Sequence, residues 1–65
     1  MRGTVKRWLS ERGYGFIEPD EGGEEVFLHH SEMEGTRCPD AGERVEFEVR
    51  RASKGPQAVG VKIIG

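Results

Sequence analysis

Two short runs, Arg12-Gly13-Tyr14-Gly15-Phe16-Ile17 and Val26-Phe27-Leu28-His29-His30, restrict this chain more than any other feature. Successive side chains of a β-strand point to opposite faces. Read as strands, the runs place Tyr14 and Phe16 on one face with Ile17 on the other. They separate Phe27 and His29 from Val26 and Leu28 in the same way. A sheet in a small domain buries one face, and the aliphatic residues claim it. Tyr14, Phe16, Phe27 and His29 are left for the outer face, where Gly13 and Gly15 clear the space around the rings. Flat rings on an open sheet form a stacking surface for unpaired bases. The pattern therefore points to a surface that holds single-stranded nucleic acid.

Nearly every other apolar run is short, β-branched or aromatic, and bounded by Gly, Pro, Asp or Ser, which predicts an all-β fold. Strands are expected at about 3–10, 14–19, 25–29, 44–51 and 57–64. Asp20-Glu21-Gly22-Gly23 reads as a hairpin turn, with glycines available for positive φ. Ser31 is expected to cap a short helical turn through Met33, and 34–42 and 52–56 read as loops. Five strands in 65 residues cannot leave long edges unprotected, so closure into a small antiparallel barrel is expected. Alternation assigns Val5, Ile17, Val26, Leu28, Val45, Phe47, Val49, Val59, Val61 and Ile63 to its core.

A chain of 65 residues makes one domain, 1–65. At this size folding buries only about 60% of the surface the unfolded chain exposes, which leaves no room for a deep catalytic cavity beside a core. No apolar stretch approaches the roughly 18 residues that span a membrane, and the N-terminus lacks an apolar targeting segment. A cytoplasmic protein with no membrane partner is expected. Cys38 is the single cysteine, which excludes an internal disulfide and leaves no second thiol for zinc. His29 and His30, as neighbours on a strand, are expected to point apart and not to chelate one ion. His30-Ser31 has no orienting acid at a fitting spacing, and no phosphate-cradling loop is present. Neither catalysis, a metal, a cofactor nor a small-molecule substrate is expected.

The formal net charge of −2 comes from 10 basic and 12 acidic residues, yet distribution matters more than the sum. Glutamates gather at Glu21, Glu24 and Glu25, at Glu32 and Glu34, and at Glu43, Glu46 and Glu48. Lys6, Arg7, Arg12 and Lys54 sit beside the aromatic runs and are the candidate phosphate contacts. A cationic face on an acidic body is therefore expected. Trp8 shares parity with Lys6 and is expected to join the rings on that face, with His30 either touching the ligand or lying at its rim. Arg44, Arg50, Arg51 and Lys62 lack aromatic neighbours and read as ordinary surface charges.

The order Gly3-Thr4-Val5-Lys6, then Arg12 to Ile17, then Val26-Phe27-Leu28-His29, then Lys54-Gly55-Pro56-Gln57-Ala58 resembles the bacterial cold-shock proteins across essentially the whole chain. The two central runs look like that family's two ribonucleoprotein-type motifs. The resemblance implies a five-stranded oligonucleotide/oligosaccharide-binding (OB-fold) barrel that binds single-stranded RNA and DNA and acts as an RNA chaperone or a regulator of transcription or translation; a self-closed barrel is expected to be monomeric. Departures are specific. The family's Lys-Trp-Phe-Asn is here Lys6-Arg7-Trp8-Leu9, His30 replaces an aromatic, and Gly60 stands where the family tends to have Asn. The loop after Ser31 is about two residues shorter and lacks a phenylalanine, with Arg37 near its tip. Guanidinium groups, which also stack on bases, thus rise as rings fall. A protein-interaction module on the same barrel, with weakened nucleic-acid binding, is the competing reading.

Overall fold

The computed structural model describes residues 1–35 and 37–65; Thr36, within the loop expected over 34–42, lies outside the described residues. Five strands, β1 (Arg2–Leu9), β2 (Tyr14–Pro19), β3 (Val26–His29), β4 (Arg44–Ala52) and β5 (Gly55–Ile63), close into a barrel in the order β1-β2-β3-β5-β4. The all-β barrel expected from the sequence is the one observed. It is not antiparallel throughout, because β3 and β5 run parallel where Phe27 meets Gln57. A closed ring of five strands cannot alternate direction all the way round, so one parallel seam is forced.

Buried side chains of Val5, Ile17, Val26, Leu28, Val45, Phe47, Ala58 and Val61 form the core, with Trp8, Met33 and Ile63 packed against it. Seven of these eight were expected. Val59 and Ile63 are only half-buried, and Val49 is 37% exposed. Ala58 takes the place expected for Val59, and the cause is a bulge. Glu46 pairs with Lys62 and Glu48 with Val59, so β5 carries one residue more than β4 over this stretch. An extra residue exchanges the two faces for everything beyond it. Gly60 lies in the bulge at φ +60°, a left-handed conformation that glycine adopts without a steric cost. Val49 is uncovered for a different reason: β1 pairs with β4 only from Arg44 to Glu46, and beyond that β4 is paired on its β5 side alone.

A second bulge lies in β1. Val5 pairs with Ile17 and Arg7 with Phe16, which leaves Lys6 in excess. The chain after β3 makes a single 3₁₀ turn, His30–Glu32. Its cap is His29 and not Ser31, because the His29 ring accepts from the Ser31 backbone N–H at 3.2 Å. Loop 52–56 is tighter than expected: Ala52 pairs with Gly55, so only Ser53 and Lys54 turn the chain.

The turn between β2 and β3 is tied to the start of β4. Arg44 holds Asp20 through both carboxylate oxygens and also donates to Thr4 Oγ1 at 3.2 Å. The Arg44 hydrogen bonds hold the Asp20 carboxyl below its ordinary range. The Asp40 backbone N–H, and then Arg37, do the same for Glu43. A carboxylate with a depressed native pKa stabilises the fold fully above its unfolded value, about 3.9 for Asp, and that stabilisation is lost as pH falls through the native value. The thermal midpoint should therefore fall on acidification below about pH 5. Asp20→Asn should start lower at neutral pH and lose less over the same acid range. Identical pH profiles for the two proteins would remove this pair from the account.

Candidate nucleic-acid interface

The outer face of β2 and β3 is built by register. Tyr14 pairs with His29 and Phe16 with Phe27, and all four side chains alternate with buried Gly15, Ile17, Val26 and Leu28. Their rings form one continuous array. Tyr14 and Phe27 lie 5.5 Å apart between centroids, Phe16 and Phe27 6.0 Å, Tyr14 and Phe16 6.2 Å, and Phe27 and His29 6.4 Å. Mixed edge-on and tilted geometries keep the rings from collapsing into a closed stack, so their faces stay half-exposed. Every one of these four residues is where the alternation predicted.

His30 also joins the array, against the expectation that the two histidines point apart. Their ring centroids are 4.4 Å apart. The strand ends at His29 and the 3₁₀ turn begins at His30, so strand alternation no longer applies there. The His30 ring also lies over Gly13, where a Cβ would come within 2.7 Å of it. Because His29 Nδ1 accepts from Ser31, the neutral ring carries its proton on Nε2 and keeps one donor free. Among the described residues no group of three or more His, Cys, Asp or Glu side chains is arranged to hold a metal ion.

Trp8 corrects the expectation that placed it on this face. The bulge at Lys6 turns Arg7 outward and Trp8 inward, where the indole is half-buried and packed against the core. It lies over Gly15, at which a Cβ would sit 2.8 Å from the indole and would overlap the Arg7 carbonyl. The indole N–H is buried and has no hydrogen-bond partner among the described residues. Arg7 takes the outward place, with its guanidinium 5.6 Å from the Phe16 centroid, a cation–π geometry. The signal was present in Val5-Lys6-Arg7-Trp8: apolar residues three apart around two charges do not fit uninterrupted alternation.

The basic residues divide sharply. Among the described residues, Arg2, Lys6, Arg37, Arg44, Arg51 and Lys62 each lie within 4 Å of a carboxylate. Arg7, Arg12, Arg50 and Lys54 make no such pair. Three of these four are the cations that the sequence placed beside the rings. Lys54 stands with Phe16, Phe27, Pro56 and Gln57 around a groove of about 360 Å³. Arg12 is exposed at the β1–β2 turn, beside Trp8 and next in the chain to Gly13, over which the His30 ring lies. Lys6 is engaged: its ammonium lies 2.8 Å from Glu25. That hydrogen bond raises the Lys6 pKa and lowers the Glu25 pKa. A phosphate would have to displace Glu25 to reach it, so the cationic face is less separate from the acidic body than the sequence suggested.

Gln57 is a groove residue that sequence reasoning missed. Alternation from Val59, Val61 and Ile63 sends it inward, and the bulge at Gly60 returns it to the outer face opposite Phe27. A Trp8→Ala substitution should destabilise the fold by about 2–3 kcal/mol, below the range of about 3–5 for a fully buried Trp because the indole is half-buried. Phe16→Ala should cost clearly less, and urea unfolding of both variants measures the difference. Equal costs would mean that Phe16 is as much a core residue as Trp8.

The 'Cold-shock' DNA-binding domain family model matches residues 1–64. The chain is 53% identical over 66 residues to a cold shock-like protein of Thermotoga maritima, covering 98% of both. It is 46% identical over 65 residues to a probable cold shock protein A of Mycolicibacterium smegmatis, covering 97% of both. It is 40% identical over 63 residues to the cold shock-like protein CspE of Escherichia coli, covering 94% of this chain and 91% of that one. Among solved structures, Drosophila Unr CSD456 is similar with a TM-score of 0.81 and 28% identity, over 98% of this chain and 26% of that one.

Proposed function

Because this chain belongs to the cold-shock domain family, whose members are non-enzymatic nucleic-acid binders, we propose that it binds single-stranded RNA or DNA by stacking bases on Tyr14, Phe16, Phe27 and His29. His30 and Arg7 extend that surface, and Lys54 and Arg12 meet phosphates near it. The observation that carries this reading is the continuous outward ring array, with neighbouring centroids 4.4 to 6.4 Å apart. Exposed rings cost hydration with no return to folding, whereas base stacking returns roughly 1–3 kcal/mol per base. Every base has a π-face, so recognition on such a surface is broad.

Selectivity for unpaired strands follows from the same geometry. A base inside a duplex has both faces covered and cannot reach a flat protein ring. Binding the open form alone shifts a weak hairpin toward opening by mass action, and no nucleotide hydrolysis is needed. This is the basis of an RNA-chaperone role in the cytoplasm, and the same unfolding of weak structure would let the protein act on transcription or translation. Lys6 is left out of the free phosphate contacts because Glu25 holds it.

Phe16→Ala and Phe27→Ala should each weaken binding of a labelled oligothymidine or oligouridine by roughly 1–3 kcal/mol while the barrel stays folded. Fluorescence anisotropy gives the affinity, and circular dichroism the fold. Undiminished binding in both variants would contradict the stacking reading. A parent protein that binds no oligonucleotide at micromolar concentration would favour a protein-interaction module instead.

A further inference from the structure

One row of residues crosses all five strands in register without closing on itself. Arg7 on β1 pairs with Phe16 on β2, Phe16 with Phe27 on β3, Phe27 with Gln57 on β5, and Gln57 with Arg50 on β4. All five side chains take the outward side, and the row begins and ends on an arginine. Both arginines are exposed, and neither lies within 4 Å of a carboxylate among the described residues, although six other cations do. Arg7 is accounted for by its place over Phe16. Arg50 is not, since no aromatic neighbour in the sequence marks it.

The ribbon formed by β4 and β5 shows what Arg50 faces. Residues two apart on a strand share a face, and directly paired residues share it across strands. Arg50, Ala52, Gly55 and Gln57 therefore lie on one side of the ribbon. Ala52, Gly55 and Gln57 line the groove with Phe16 and Phe27, and Arg50 is the next position on that side. Neighbouring strands are about 4.8 Å apart, so Arg50 stands roughly 10 Å from Phe27 along the row. An arginine side chain shortens that gap further.

We propose that Arg50 is a phosphate contact for a strand leaving the rings across Gln57, so that the binding face extends over β5 onto β4. This rests on the proposed function above. Gln57, between the rings and Arg50, offers an amide donor and acceptor to a base edge or to the backbone as the strand crosses. A guanidinium is suited to this place because its planar fork binds phosphate bidentately. The free strand thus has cations at both ends of the row and rings in the middle.

The test is anisotropy with labelled oligothymidines of increasing length, at several salt concentrations, for the parent, Arg50→Gln, Arg50→Lys and Arg2→Gln. Arg2 carries the same charge but is turned toward Glu46, so it controls for net charge. Arg50→Gln should weaken binding of longer strands about threefold or more and flatten the salt dependence by about 0.7, the value for one phosphate on a single strand. The shortest strands that still bind should lose little, and Arg50→Lys should restore the slope. Arg50→Gln matching the parent, or matching Arg2→Gln, would overturn the contact. A parent that binds no strand would overturn the proposed function itself, and the Arg50 contact with it, which is a different result from a parent that binds and an Arg50 variant that binds equally well.

Discussion

A strand side chain has two sides to choose from, and a single inserted residue exchanges them for everything that follows. This barrel uses that constraint twice. The extra residue at Lys6 turns Trp8 into the packing and Arg7 onto the rings. The extra residue at Gly60 sends Ala58 inward and brings Gln57 to the outer side, opposite Arg50, which unbroken alternation along β4 already places there. Between the bulges, β2 and β3 alternate without interruption and carry the aromatic array. A barrel of 65 residues has one core to fill, so the sorting of side chains by face also determines what solvent and ligand meet.

Charge follows the same division. Six of the twelve acidic residues lie within 4 Å of a cation, and of the cations left unpaired among the described residues Arg7 and Lys54 stand against the rings. Exposed pairs of this kind add little to stability and are weakened by salt. Their larger effect is on partners, because a paired lysine or arginine is not free to meet a phosphate. An acidic protein can therefore offer a cationic path without being basic overall. The Lys6–Glu25 pair marks where that path is blocked.

How much of this was legible in the sequence depended on uninterrupted alternation. Tyr14, Phe16, Phe27 and His29 stand where the two runs placed them, because β2 and β3 contain no bulge. Trp8 did not, since it follows the extra residue at Lys6, although Val5 and Trp8 three apart were a readable sign. Val59 was misplaced for the same reason, with Gly60 as the sign. His30 was expected to point away from His29 because strand geometry was carried one residue past the strand. The Lys6–Glu25 pair joins β1 to the residue before β3, and the Arg50–Gln57 pairing depends on the exact length of the turn at Ser53 and Lys54; local pattern alone reveals neither. The closed five-strand order was legible only as closure, and the parallel seam follows once five is seen to be odd.

The central claim is that the ring array on β2 and β3, and not another surface of the barrel, receives the strand. Site-resolved nuclear magnetic resonance during titration with oligothymidine tests it most directly. The ring and backbone resonances of Tyr14, Phe16, Phe27 and His29 should shift most, those of Arg7 and Gln57 next, and the inward indole N–H of Trp8 little. Largest shifts at Arg2, Glu46 and Ile64, with the ring resonances unmoved, would contradict the account.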